Sequence, residues 1–263
     1  MMQQIHKYPR TPHIEGSRLQ PGDEDLDSLP FRAIAQQYVV IEEKVDGANA
    51  AISFDANGQL QLQSRGHYLV GGEREKHFNL FKQWANTHVQ SLWNVLGHRY
   101  ILYGEWLYAK HTVFYDALPH YFLEYDLLDL ESGQFLNTRQ RHQRLANIPI
   151  CSVPILFSGV LSSYKQMVAL LGQSHFINAG HIERLRQACE QQGVDVERSL
   201  HQTDPSSLME GLYIKVENDD WTLERYKYVR ASFLTTVLQS DSHWLNRPII
   251  PNQLRAGVDL FDL

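Results

Sequence analysis

Lys44 stands at the end of an apolar run, Tyr38-Val39-Val40-Ile41, and is followed by Val45-Asp46-Gly47 and a second apolar run, Ala50-Ala51-Ile52-Ser53-Phe54. A strand end with an Asp-Gly turn behind it holds an amine still at the mouth of a pocket. A lysine amine is a nucleophile only when neutral, so burial or neighbouring positive charge must lower its pKa. Alone, the same pattern also describes a solvated lysine beside an ordinary hairpin turn. The blocks downstream decide between the two.

After Glu43-Lys44-Val45-Asp46-Gly47-Ala48-Asn49 the chain carries Ser64-Arg65-Gly66, then Leu102-Tyr103-Gly104-Glu105-Trp106. Tyr121-Phe122-Leu123-Glu124-Tyr125-Asp126 comes next, then Glu210-Gly211-Leu212-Tyr213-Ile214-Lys215, and last Arg225-Tyr226-Lys227-Tyr228-Val229-Arg230. Each is a β-rich apolar run with one or two charges near an end. This ordered series resembles the covalent nucleotidyltransferase superfamily of ATP-dependent RNA and DNA ligases and mRNA capping enzymes. There a Lys-x-x-Gly nucleophile motif is followed by Arg, Gly-Glu, aromatic-Asp, Glu-Gly-x-x-x-Lys and Lys-x-Lys motifs. Any one block is weak; six in order over residues 43–230 are specific. Asn49 stands where DNA ligases and capping enzymes place an arginine, and in this it resembles the nick-sealing RNA ligases. Asp46 is shared with the DNA ligases.

The resemblance implies roles. Lys44 would attack the α-phosphate of ATP to form lysyl-AMP, with Lys215 and Lys227 on that phosphate and their charge keeping Lys44 neutral. Glu105 and Glu210 would hold the ribose and a divalent cation, Mg²⁺ or Mn²⁺, a sparse carboxylate set that suits a metal completed by phosphate oxygens and water. Tyr125 or Phe122 would stack on adenine, Tyr125 being preferred for its place before Asp126, and Glu43 would meet the adenine edge. Asn49 would serve the later, nucleic-acid steps, and Arg65 the ribose or the 5′-phosphate end. Arg225 replaces the first lysine of the terminal motif; with Arg230 it is assigned to RNA, although a fork does not bind phosphate as a point charge does.

The elements that must position these groups follow from periodicity. Tyr38–Phe54, Leu60–Ser64, Tyr100–Trp106 and Tyr121–Leu130 read as strands, and Leu212–Val216 with Trp221–Tyr228 as a hairpin. Phe78, Phe81, Ala85, Val89 and Leu92 recur at helical spacing; further helices are expected over Thr138–Ala146, Tyr164–Leu171, Ile182–Gln191 and a short stretch from Ala231. The class is α+β: antiparallel sheets with helices on their outer faces, the ATP-grasp-like ligase core that the resemblance implies. Residues 1–230 are read as the adenylyltransferase domain and 231–263 as a short helical appendage with a Pro-broken tail. That tail is too short for a five-stranded oligonucleotide-binding barrel. The turn-rich arm 1–30 either clamps nucleotide or RNA with Arg10, His13 and Arg18, or covers a sheet edge.

Composition agrees with an enzyme that has a substantial core: 263 residues, 43% hydrophobic. No long apolar stretch or leader is present, so neither a membrane span nor a secretory signal is expected. Cys151 and Cys189 sit in unrelated contexts, as reduced thiols of a cytoplasmic protein do. The 13 histidines are scattered without metal-ligand spacing, so no zinc site is expected. A net charge of −6 argues against strong non-specific binding along duplexes, while leaving room for a local basic groove.

The expected activity is ATP-dependent joining of RNA 3′-OH and 5′-phosphate ends, on a nicked duplex or broken RNA, with an end-healing kinase or phosphatase as partner. A minimal DNA ligase or a capping-type guanylyltransferase is the alternative within the superfamily. A non-catalytic RNA-binding protein on the same fold is the alternative outside it.

Overall fold

The computed structural model describes residues 5–19, 23, 25–239 and 247–262. Pro21, Gly22 and Glu24 of the turn-rich arm lie outside the described residues. The strands are β1 His13–Ile14, β2 Ser28–Leu29, β3 Tyr38–Lys44, β4 Ala48–Phe54, β5 Leu60–Ser64 and β6 Tyr100–Trp106. They continue with β7 Phe122–Asp129, β8 Gln134–Leu136, β9 Cys151–Ser152, β10 Ile155–Val160, β11 Gly211–Glu217 and β12 Trp221–Val229. The helices are α1 Asn79–Thr87, α2 Val89–Leu96, α3 Thr138–Leu145, α4 Tyr164–Val168, α5 His181–Gln192, α6 Val196–His201 and α7 Ala231–Gln239.

A largely antiparallel sheet runs β10-β3-β11-β12-β8-β7-β6-β4-β5, so the protein is α+β as expected. β3 and β4 are not a hairpin. β3 lies between β10 and β11, whereas β4 lies between β5 and β6. The Val45-Asp46-Gly47 link therefore crosses from one half of the sheet to the other. Alternation and an Asp-Gly pair signal strand–turn–strand, but they do not say which strand is the neighbour. Three contacts fix the crossover. Val45 is buried, the Asp46 carboxylate accepts from the backbone N–H groups of Thr112 (2.7 Å) and Val113 (2.8 Å), and the Asp46 N–H donates to the Tyr115 hydroxyl.

Two motif glycines serve close approach. A Cβ on Gly47 would lie 2.8 Å from Glu105 Cγ and 2.7 Å from Leu107 Cδ2, and one on Gly211 would lie 2.0 Å from the Tyr228 carbonyl. Both glycines let a strand end lie against the next strand, setting Lys44 and Glu210 at one depth.

The core divides around the sheet. Phe81, Trp84, Trp106 and Phe122 anchor the larger cluster under α1 and α2. Ile41, Leu212, Ile214 and Met167 anchor the second beneath α4. The helical period seen from Phe78 to Leu92 is split into α1 and α2, with His88 between them. Residues 247–262 run back over the 107–121 loop. Asn252 is buried there, accepting from Tyr115 N–H and donating to the Leu107 carbonyl.

Candidate active site

Lys44 closes β3 with its ammonium 2.8 Å from the Glu210 carboxylate, which leads into β11 at the register Gly211 opposite Lys44. Glu105 on β6 lies opposite Asn49 on β4. Strands distant in sheet order thus bring Lys44, Glu210, Glu105 and Asn49 to one end of the sheet. Burial would lower the Lys44 pKa, but the charges of Glu210, Glu105 and Asp46 outweigh it and leave the amine above its ordinary value. The expectation that neighbouring lysines keep Lys44 neutral is corrected: in the free protein Lys44 is an ammonium held by carboxylates. The same crowding acts on Glu105, whose carboxyl burial, with Glu210 and Asp46 adding to it against Lys44, pushes up to about 8.

That shift carries a prediction. Glu105 is raised above its ordinary value, so its contribution is full in acid and declines as pH rises towards about 8. Glu105→Gln cannot ionise and should escape the decline. Its stability should match the wild type near pH 5 and exceed it increasingly up to pH 8, by on the order of 1 kcal/mol or more, with a higher melting temperature. A melting series that shows no pH-dependent gap would contradict the crowding.

Tyr125 enters the site through a β-bulge. Asp126 pairs with Tyr103 and Glu124 with Gly104, leaving Tyr125 as the extra residue, which bulges re-aim. Its hydroxyl accepts from the Asn49 amide, and its ring lies 6.0 Å from that of Tyr213 and 5.2 Å from that of Tyr8. Asn49 Oδ1 is buried and has no hydrogen-bond partner among the described residues. A bare acceptor of this kind costs stability and awaits a donor. Phe122 is corrected: it is fully buried, stacked on Phe81 5.3 Å away, and takes no part in a base pocket.

Glu43 points away from Lys44, as its neighbour on a strand must. Its carboxylate accepts from the Ser174 hydroxyl (2.5 Å), the His175 N–H (3.1 Å) and the His175 ring (2.7 Å). It anchors the 174–176 turn and is withdrawn from the adenine edge. Lys215 is also corrected. It is fully buried, 2.9 Å from Glu42 and 3.2 Å from Asp126, and donates to the Tyr125 carbonyl. Arg141 of α3 joins this network at 2.6 Å from Glu42 and 3.3 Å from Glu124. Arg225 bonds Asp126 (2.8 Å) and lies 3.8 Å over the Phe135 ring. Burial raises the Asp126 carboxyl, but Arg225, Lys215 and Arg141 outweigh it and hold it far below the usual range. These cations support the floor of the site and do not face a nucleic acid.

Arg230 is corrected in the same way. It is buried, donating to the Met209 carbonyl (2.6 Å) and to Asp204 and Ser206. Arg65 is exposed just beyond β5, where Ser64 pairs with Ala50; it continues the register towards Asn49. Lys227 lies on β12, close enough to Lys44 that the two charges affect one another. Its ammonium donates to Asp23 of the N-terminal arm. Tyr8, Tyr213 and Asp23 were missed in the sequence because no spacing rule links the arm to strands two hundred residues away.

The residues fit a divalent cation in one respect: the Glu105 and Glu210 carboxyls are crowded together beside Lys44, a crowding that a bound cation would relieve. Among the described residues no group of three or more His, Cys, Asp or Glu side chains surrounds one point. Phosphate oxygens and water would have to complete such a site, as Mg²⁺ prefers.

A model of the RNA ligase family matches residues 37–229, a region that runs from β3 to the end of β12. The chain belongs to the RNA ligase family. No curated protein is matched. Solved structures of Naegleria gruberi RNA ligase share the fold. A point mutant without ligand gives a TM-score of 0.55 at 16% identity, covering 88% of this chain and 57% of that one. A second mutant, with ATP and Mn, gives 0.54 at 15%, covering 79% and 53%. The form with PPi gives 0.53 at 16%, covering 88% and 57%. This chain therefore spans little more than half the length of those ligases.

Proposed function

We propose that this chain is an ATP-dependent RNA ligase with a nucleotidyltransferase core, joining 3′-OH and 5′-phosphate ends through lysyl-AMP. The observation that carries this reading is the convergence of Lys44, Glu105, Glu210 and Lys227 at one end of the sheet. Lys44, once it has lost its proton, attacks the α-phosphorus of ATP; an N–P bond forms and the bond to pyrophosphate breaks. The 5′-phosphate of the nucleic acid then takes AMP from Lys44, and the 3′-OH displaces AMP to leave a phosphodiester. Such transfers need in-line positioning and charge neutralisation above all.

Each group has a part in this scheme. Lys227 donates to the α-phosphate, and Tyr125 offers its ring to the base, with Tyr213 beside it. The open Asn49 Oδ1 accepts from a ribose hydroxyl, and Arg65 takes a phosphate from the exposed rim. A divalent cation held by Glu105 and Glu210 would neutralise phosphate oxygens and offset the carboxylates that keep Lys44 protonated. The Naegleria ligase structures with ATP and Mn support both ligands. A soluble, cytoplasmic setting with an end-healing enzyme supplying ligatable ends completes the reading; among the described residues no helix is long and apolar enough to cross a membrane.

Four nicked duplexes, with RNA or DNA on each side of the break, test the substrate. Sealing should require ribonucleotides on the 3′-OH side, where a 2′-OH can meet Asn49. The 5′-phosphate side should matter less, and the rate should fall as salt rises. Sealing of the all-DNA nick at the RNA rate would overturn the RNA assignment.

A further inference from the structure

The N-terminal arm reaches the candidate site at two points. Tyr8 lies among Tyr125, Tyr103 and Phe135, with its hydroxyl on Asp126 and Tyr213. Fifteen residues on, the arm brings Asp23 to Lys227. Between them β1 pairs in parallel with β12 at the register His13 opposite Lys227, and the Lys227 N–H donates to the Pro12 carbonyl at 2.9 Å. The His13 ring is fully buried and held at both nitrogens, by Ser17 Oγ at 2.6 Å and Asp23 at 3.2 Å. Ser17 Oγ in turn accepts from the Val229 N–H at 2.8 Å. The contacts close a ring: β12 fixes Ser17, Ser17 fixes His13, His13 fixes Asp23, and Asp23 fixes the lysine of β12. Arg10 stands at the rim, 3.6 Å from Asp23.

We propose that Asp23 is a positioning residue for adenylylation, holding the Lys227 ammonium in the orientation in which it meets the α-phosphate. The inference rests on the proposed reading of Lys227 as a phosphate ligand. A lysine head is a hydrated point charge on a flexible four-carbon stem, and it loses that freedom when a fixed acceptor takes one of its three protons. The other two remain for a phosphate oxygen. Asp23 also opposes burial and the Lys44 charge, both of which favour loss of the Lys227 proton. The arm thus supplies part of the site from outside residues 37–229, the region matched by the family model.

The test is single-turnover formation of lysyl-AMP by full-length Asp23→Asn, a change that keeps the shape and a hydrogen-bond acceptor but removes the charge. The rate at saturating ATP should fall about tenfold or more, while the ATP concentration for half-maximal rate stays within about threefold. A loosened arm gives the opposite split, because it would also withdraw Tyr8 from the base pocket; a rise in half-saturating ATP at an unchanged limiting rate therefore overturns the proposal. So does a wild-type rate. If the asparagine variant does not fold, Asp23→Glu asks the same question, since an added methylene shifts the carboxylate by about 1 Å. The same loss of limiting rate supports the proposal, and wild-type kinetics overturn it. Failure of the wild type itself to form lysyl-AMP would instead overturn the ligase reading.

Discussion

Protein incubated with labelled ATP and a divalent cation should become covalently labelled, and Lys44→Ala should abolish the label, a loss of roughly 10³-fold or more. The geometry says why neither of the other two motif lysines can substitute. Lys215 is sealed between Glu42 and Asp126, and Lys227 is turned towards Asp23. Of the three, Lys44 ends its strand and has the side chain most open to solvent. Its raised pKa sets the pH dependence. Labelling should increase from pH 6 to pH 9, because the amine must lose a proton that Glu210, Glu105 and Asp46 help it keep. Acid-labile label on Lys44→Ala would move the nucleophile elsewhere. Label from GTP and not from ATP would favour a capping-type reaction.

The strands that carry the chemistry were legible in the sequence because each joins an apolar alternation to a charged end. Tyr100–Trp106 and Leu60–Ser64 have the bounds that their patterns imply. Pairing was not legible, since β3 and β4 share a turn signal yet lie on different halves of the sheet. The direction of a side chain was legible only where alternation is regular. The bulge at Tyr125 and the outward turn of Glu43 depend on partners far along the chain, Tyr103 and Gly104 for one and Ser174 and His175 for the other. Motif resemblance placed Lys215 on a phosphate for a related reason: a motif gives residue type and order but carries no burial. Short strands such as β8 and β9 have too few residues to show a period. Tyr8 and Asp23 required the folded arm.

Lys215→Ala and Lys227→Ala should fail for different reasons, and a melting curve separates them. Lys215, Arg141 and Arg225 face Glu42, Glu124 and Asp126 in a buried network whose six formal charges balance. Replacing such a set with apolar groups of matched shape can be neutral, but removing one member strands its partners without a counter-charge. Lys215→Ala leaves Glu42 and Asp126 with one cation fewer and the Tyr125 carbonyl without its donor. The expected cost is about 3–5 kcal/mol, a large share of the stability of a domain this size. Activity should disappear because the floor under Tyr125 gives way. Lys227 lies nearer the surface and pairs with an arm residue, so Lys227→Ala should melt within a few degrees of the wild type and still lose most lysyl-AMP formation. A well-folded Lys215→Ala that binds ATP yet cannot form lysyl-AMP would return Lys215 to the phosphate. It would also mean that the buried network rearranges when nucleotide enters.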